Sequence, residues 1–185
     1  MNRRRLIHGV DSENERPNSH FILFCRQFIK PGVHCFQTKD CKGGILVDFV
    51  PKGTTLNANC YCETLRKLRQ AIQNRRRGIS GGIVLLHDNP RPHTAAATQE
   101  LLDQFGWEIF DHPPYSPDLA PSDFHLFLKL KEFLGGKRFG RDEELENAVT
   151  TWLNELAAKE YDMRILKLVD RYDKCLNVGG DYVEK

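Results

Sequence analysis

The sequence predicts an α/β layered sheet, and three observations predict it. Strand-like and helix-like segments alternate through the middle of the chain. One of those strands, Ile79 to Leu86 (ISGGIVLL), is apolar on both faces, as a strand covered on both sides of a sheet must be. The C-terminal part then carries helical patterns only. A chain of 185 residues, 40% of them hydrophobic, can fill one core. No window reaches the roughly 18 apolar residues of a membrane span, since the best run, Phe21 to Cys25, is stopped by Arg26. The start, MNRRRLIHGV, is charged but lacks the apolar stretch of a secretory signal. A nuclear or cytoplasmic chain that is neither secreted nor membrane-bound is expected.

Element by element, the first forty residues show weak periodicity and scattered cysteines, and no strand order can be read from them. Gly43 to Phe49 reads as a strand closed by Pro51-Lys52-Gly53. Asn57 is a good N-cap for a helix whose Tyr61, Leu65, Leu68 and Ile72 fall at helical spacing, with Gly78 ending it. The strand Ile79 to Leu86 follows, with His87 and Asp88 at its end. Thr94 is expected to start a helix with Leu101, Leu102 and Phe105 inward, stopped by Gly106. Trp107 to Phe110 is one more short strand. Pro113, Pro114, Pro117 and Pro121 forbid regular structure through HPPYSPDLAPS. Ser122 then caps a helix from Asp123 to Leu134, broken at Gly135-Gly136. Two helices close the chain, one lined by Leu145, Val149, Trp152 and Leu156, the other by Tyr161, Ile165, Leu168 and Tyr172.

The six cysteines read as reduced thiols, because a long central stretch has none. Cys60 and Cys62, two apart on a helix, point to opposite sides and make poor joint zinc ligands. Formal net charge is only +2, but Arg66, Lys67, Arg69, Arg75, Arg76 and Arg77 crowd one segment. Arg75, Arg76 and Arg77 are candidates for DNA backbone phosphates. The plain alternative is a solvated helix end, where the dipole favours cations.

Asp88 after a strand and Asp123 at a helix start could converge at the carboxyl edge of a sheet, where ligands of open α/β folds gather. Hard oxygen ligands there suit Mg²⁺ or Mn²⁺ and hence phosphodiester chemistry, with one ion activating the attacking oxygen and the other stabilising the leaving one. Such a site needs a third, bridging carboxylate. Structurally, an Asp at a helix start can serve only the dipole, and an Asp after a strand only a turn.

The motifs HDNPRPHTA (87–95) and HPPYSPDLAPSDFHLF (112–127) resemble the catalytic domain of mariner-type transposases, and 34 residues lie between Asp88 and Asp123, the spacing of that family's Asp-Asp-34-Asp site. The resemblance extends through GGKRF, WLNELAA and YDKCLNVGGDYVEK, and back through GILVDF, covering residue 43 to the C-terminus. It implies a ribonuclease-H-like fold, a mixed central sheet flanked by helices, with the first strand degraded or incomplete. It also implies cut-and-paste DNA transposition with Mg²⁺ or Mn²⁺ in a two-metal site, DNA as partner, no small-molecule cofactor, and a nuclear location; a homodimer stays open. Asp88 and Asp123 match the second and third metal-binding aspartates. Asn89, Arg91 and His93 match the rest of the motif and would support the ligands or touch DNA. Pro90 stands where the family has a small residue and stiffens the turn.

The chain departs from the family at its start. Family members carry the first aspartate in a GDE motif on the first strand, and setting His8 on the histidine that follows it places Arg3 in the metal-bridging position. A cation there would repel both ions. Asp11 and Asp48 are the candidate substitutes, though neither matches the motif. On this reading residues 1–42 are a degenerate part of the catalytic domain, 43–185 its remainder, and the helix-turn-helix DNA-binding region is missing. The expected function is that of a truncated transposase catalytic domain, inactive or impaired. The alternative is a non-catalytic DNA-binding or dimerisation module derived from one. A transition-metal hydrolase built on His87, Asp88, His93, His112, Asp123 and His125 lacks any metal-binding spacing. No cofactor-binding Gly-rich loop or other methyltransferase feature is present.

Overall fold

A computed structural model describes residues 20–30, 33–40, 43–51, 53–76, 79, 82–87, 90–110, 112–113, 116–120, 127–156 and 158–183. Asn18–Phe110 form one compact unit, and Asp111–Lys185 belong to a second.

The first unit is built on a five-stranded sheet in the order β3-β2-β1-β4-β5. Its strands are β1 (His20–Lys30), β2 (Val33–Asp40), β3 (Gly43–Val50), β4 (Ile83–Leu86) and β5 (Glu108–Phe110). The first three pair antiparallel, while β4 runs parallel to both β1 and β5. The sheet therefore crosses the boundary that the sequence suggested at residue 42. The expected degradation of the first strand is not one of backbone, because β1 is eleven residues long and paired on both sides. On β2, Cys35 to Asp40 are all buried, including Gln37, Thr38 and Lys39, so the polar pattern that signals a loop lies inside.

Helix α1 (Ala58–Arg75) begins as expected, with the Asn57 side chain accepting a hydrogen bond from the Cys60 N–H at 3.0 Å. Its stripe of Tyr61, Leu65, Leu68 and Ile72 is buried against Ile22, Phe24, Phe36 and Ile45 of the sheet. Each such side chain contributes roughly 1.5–3 kcal/mol. Its helical geometry ends at Arg75, three residues before the expected stop at Gly78, which lies outside the described residues. Strand β4 is shorter than predicted. Gly82 adopts the left-handed φ of +68°, away from regular strand geometry, and among the described residues Ile83–Leu86 form the strand.

Helix α2 (Ala96–Phe105) starts after Ala95, not at Thr94. The Thr94 hydroxyl is turned back to the Arg91 carbonyl at 3.4 Å, and the turn is closed by the Thr98 hydroxyl donating to the Pro92 carbonyl at 2.7 Å. Gly106 ends α2 in the left-handed conformation, with the Trp107 N–H donating to Leu102 O at 3.1 Å, a Schellman-type cap.

In the second unit the proline-rich stretch holds a 3₁₀ turn, Pro117–Leu119, where no regular structure was expected. A proline at the first position of such a turn loses no hydrogen bond. Helices α3 (Phe127–Leu134), α4 (Asp142–Glu155) and α5 (Ala158–Asn177) follow. The predicted start of α3 at Asp123, capped by Ser122, lies outside the described residues. On α4 the buried row is Leu145, Val149 and Leu153; Leu156 falls beyond the helix end, and Trp152 stacks on Phe133 at 5.6 Å instead. Asp142, Glu143 and Glu144 occupy the first turn of α4, where the dipole favours them. The C-terminal segment is tied to the 3₁₀ turn. The Val183 N–H donates to Asp118 Oδ2 at 3.1 Å, and Arg171 of α5 donates to the Asp118 carbonyl at 3.0 Å.

Candidate active site

The HDNPRPH motif begins where β4 ends. His87 and His93 are both buried, and both meet the ring of Tyr61 from α1. His93 stacks on Tyr61 at 3.8 Å between centroids, His87 lies 5.1 Å from His93 with the rings 11° from parallel, and Phe24 of β1 meets Tyr61 edge-on at 5.1 Å. The Tyr61 hydroxyl is 2.8 Å from His87 Nδ1. Burial holds the Tyr61 phenol well above its ordinary pKa, with the nearby Cys62 thiol adding to the effect, so the phenol keeps its proton and is available to donate. The two imidazoles are stacked face to face, so their in-plane lone pairs do not converge, and both rings pack in the cluster around Tyr61. Among the described residues no group of three His, Cys, Asp or Glu could hold a metal ion; Asp88, Asp123 and His125 of the hydrolase set lie outside them.

The turn is fixed by its backbone as well. The Pro90 carbonyl accepts from the N–H of His93 at 2.8 Å and of Thr94 at 3.4 Å, and Gln99 donates to the His93 carbonyl at 3.1 Å. Arg91 is exposed on this turn. Asp88, Asn89 and Asp123 lie outside the described residues, as do Arg3, Asp11 and Arg77. Sequence reasoning placed Tyr61 only in a core stripe. Nothing in the chain signals that a hydroxyl 26 residues upstream would meet the histidine beside Asp88.

The candidates for a first-strand carboxylate can be checked in part. The described strand beside β4 is β1, whose His20–Leu23 pair with Ile83–Leu86; the segment around Arg3, on which the alignment through His8 rests, lies outside the described residues. From His20 to Lys30, β1 holds no Asp or Glu. Asp48 on β3 cannot stand in. Its carboxylate accepts from the Thr64 hydroxyl at 2.9 Å and from Lys67 Nζ at 2.8 Å, tying β3 to α1.

The basic segment is largely engaged within the fold. Arg76, expected on DNA phosphates, donates through Nε and Nη2 to both oxygens of Asp40 at 2.7 and 3.0 Å. That forked pair is the stronger call on its guanidinium. Arg66 pairs with Glu63, Lys67 with Asp48, and Arg69 lies 4.4 Å over the Phe105 ring. Arg75 is exposed. Cys60 and Cys62 are free thiols, in line with the reduced state read from the long central stretch without cysteine.

Residues 40–80 match the family described as "Transposase (partial DDE domain)". The human histone-lysine N-methyltransferase SETMAR is 33% identical over 99% of this chain and 26% of its own length. The Mariner Mos1 transposase of Drosophila mauritiana is 38% identical over 78% of this chain and 43% of its own. The chain thus spans less than half the length of these relatives. The solved catalytic domain of Mos1 mariner transposase aligns over 98% of this chain and 94% of that one, with TM-score 0.86 and 30% identity. The Mos1 paired end complex with Mn aligns with TM-score 0.88 and 27% identity over 99% of this chain and 63% of that one. The fold is therefore ribonuclease-H-like, as the resemblance implied. The chain belongs to the mariner-type transposases, in the region of their catalytic domain.

Proposed function

We propose that this chain is the catalytic domain of a mariner-like DNA transposase whose strand-cleaving and strand-transferring chemistry is impaired. The observation that carries the reading is the alignment with the Mos1 catalytic domain along nearly the whole of both chains, joined to the HDNPRPH and SPDLAPSD motifs and their spacing. Asp88 and Asp123 would be the divalent-metal ligands, with Asn89, Arg91 and His93 orienting them or touching DNA. Mg²⁺ or Mn²⁺, when bound in this family's way, would activate an attacking oxygen and stabilise a leaving one. The impairment is supported by β1: two ions need a bridging carboxylate, and this strand carries no Asp or Glu.

DNA is the partner on this reading, and endonuclease and integration activity belong to it only by family. A paired assembly and a nuclear location follow from the same reading, the former supported by the relative's paired end complex. The test is nicking of a supercoiled plasmid with Mg²⁺ or Mn²⁺. The natural sequence should nick no faster than its Asp88→Ala variant; vigorous nicking that Asp88→Ala abolishes would refute the impairment.

A second reading, a non-catalytic DNA-binding or dimerising module, is favoured by the exposed Arg75, with Arg77 beside it in sequence. It requires duplex binding that weakens steeply with salt and falls in an Arg75→Ala/Arg77→Ala variant. Binding indifferent to salt would remove it.

A further inference from the structure

The parallel register of β1 and β4 assigns the first-strand ligand position. Ile22 lies opposite Leu85 and Leu23 opposite Leu86. Ile22, Phe24, Ile83 and Leu85 all face the core under α1. The same facing continues one residue past the last pair, because Phe24 and His87 both meet the ring of Tyr61, at 5.1 and 6.0 Å between centroids. The next residue in the count along β1 is Cys25, and the next along β4 is Asp88. Across the other edge of β1, Cys25 is paired with Gln37, which is fully buried with neither amide atom hydrogen-bonded.

We infer that Cys25, and not Arg3, occupies the position where a two-ion site built on Asp88 needs its bridging carboxylate, an inference that rests on the metal-ligand reading of Asp88 above. Parallel neighbours lie about 4.8 Å apart, and Cys25 is the β1 residue one step beyond the level at which Phe24 and His87 meet Tyr61. A thiol is mostly protonated at neutral pH and is a soft ligand, whereas Mg²⁺ and Mn²⁺ select hard, charged oxygens. The chain therefore keeps the strand and lacks the charge. Restoring one carboxylate at this position should restore metal binding, and an orphaned buried amide stands on the neighbouring strand to meet it.

The test is titration with Mn²⁺, followed by the electron paramagnetic resonance signal of the free ion. Cys25→Asp should tighten Mn²⁺ binding at least about tenfold over the natural chain, the gain should vanish in Cys25→Asp/Asp88→Asn, and Arg3→Asp should change nothing. Tightening by Arg3→Asp with none from Cys25→Asp would overturn the register assignment and leave the metal reading standing. No tightening by either, in variants with natural circular dichroism, would overturn both. If Cys25→Asp does not fold, Asp88→Cys answers the positional question. Neighbouring strands bring Cα atoms within the roughly 4.4–6.8 Å a disulfide spans. Diamide should then yield a 25–88 disulfide in peptide mass mapping, absent when Cys25 is serine, and failure to form it would overturn the inference.

Discussion

The end of β4 and the body of β1 lie side by side in the sheet, and they keep different things. Beyond β4, the support of the motif is intact. Tyr61 holds His87 by a hydrogen bond and His93 by stacking, Thr98 and Gln99 hold the turn, and Pro90 closes it. On β1 the apolar pairing is equally complete, yet the strand carries no acid. The difference shows which features a fold protects. The residues around His87 and His93 are also the core beneath α1, so their loss would cost stability. A lone carboxylate on a buried strand contributes no packing and costs desolvation, so its loss leaves the sheet as it was.

If that contrast holds, the largest effect in the molecule belongs to Tyr61. Tyr61→Ala removes a ring that touches Phe24, Phe36, His87 and His93, and should cost about 3–5 kcal/mol in urea unfolding. A loss below about 1 kcal/mol would mean that the stack is not core at all. Next comes Arg76→Met, which removes the forked hydrogen bonds to the buried Asp40 carboxylate and should cost about 2–3 kcal/mol. Asp40→Asn/Arg76→Met should recover about half of that, since a neutral amide is less costly to bury than a carboxylate. No cost from Arg76→Met would return this arginine to the candidates for DNA contact.

Much of this was legible beforehand, for reasons that differ by residue. The α1 stripe, the Asn57 cap and the Gly106 stop were readable because each is a local rule, satisfied within one turn of helix. The β1–β2 hairpin was not, because Gln37, Thr38, Lys39 and Asp40 are polar residues inside a central strand, against the rule that buried means apolar. Leu153 replaced Leu156 because α4 ends at Glu155. Of the candidate site, the motif and its spacing were visible in the chain, while the strand that should bear the first acid could be found only from the register.

Smaller effects sharpen the local rules. Asn57→Ala should cost about 1 kcal/mol, and Asn57→Asp close to nothing, because either Asn or Asp can accept from the Cys60 N–H. The weakest effect concerns Cys60, whose thiol pKa is raised by burial first, then by Asp48 and Glu63, against a lowering from Lys67. A raised pKa means less thiolate at pH 8, so iodoacetamide should label Cys60 more slowly than a free cysteine, with the rate still climbing at higher pH. Asp48→Asn should speed that labelling and Lys67→Met slow it, each by about twofold or less. Opposite signs would break the placement of Asp48 beside α1.

The most direct measurement is calorimetric titration of the natural chain with Mn²⁺, beside its Asp88→Ala variant. The account expects both to bind no tighter than roughly millimolar, indistinguishably, because hard cations need more carboxylates than β1 and β4 together supply. Two Mn²⁺ ions per chain at about micromolar affinity, lost on Asp88→Ala, would contradict it.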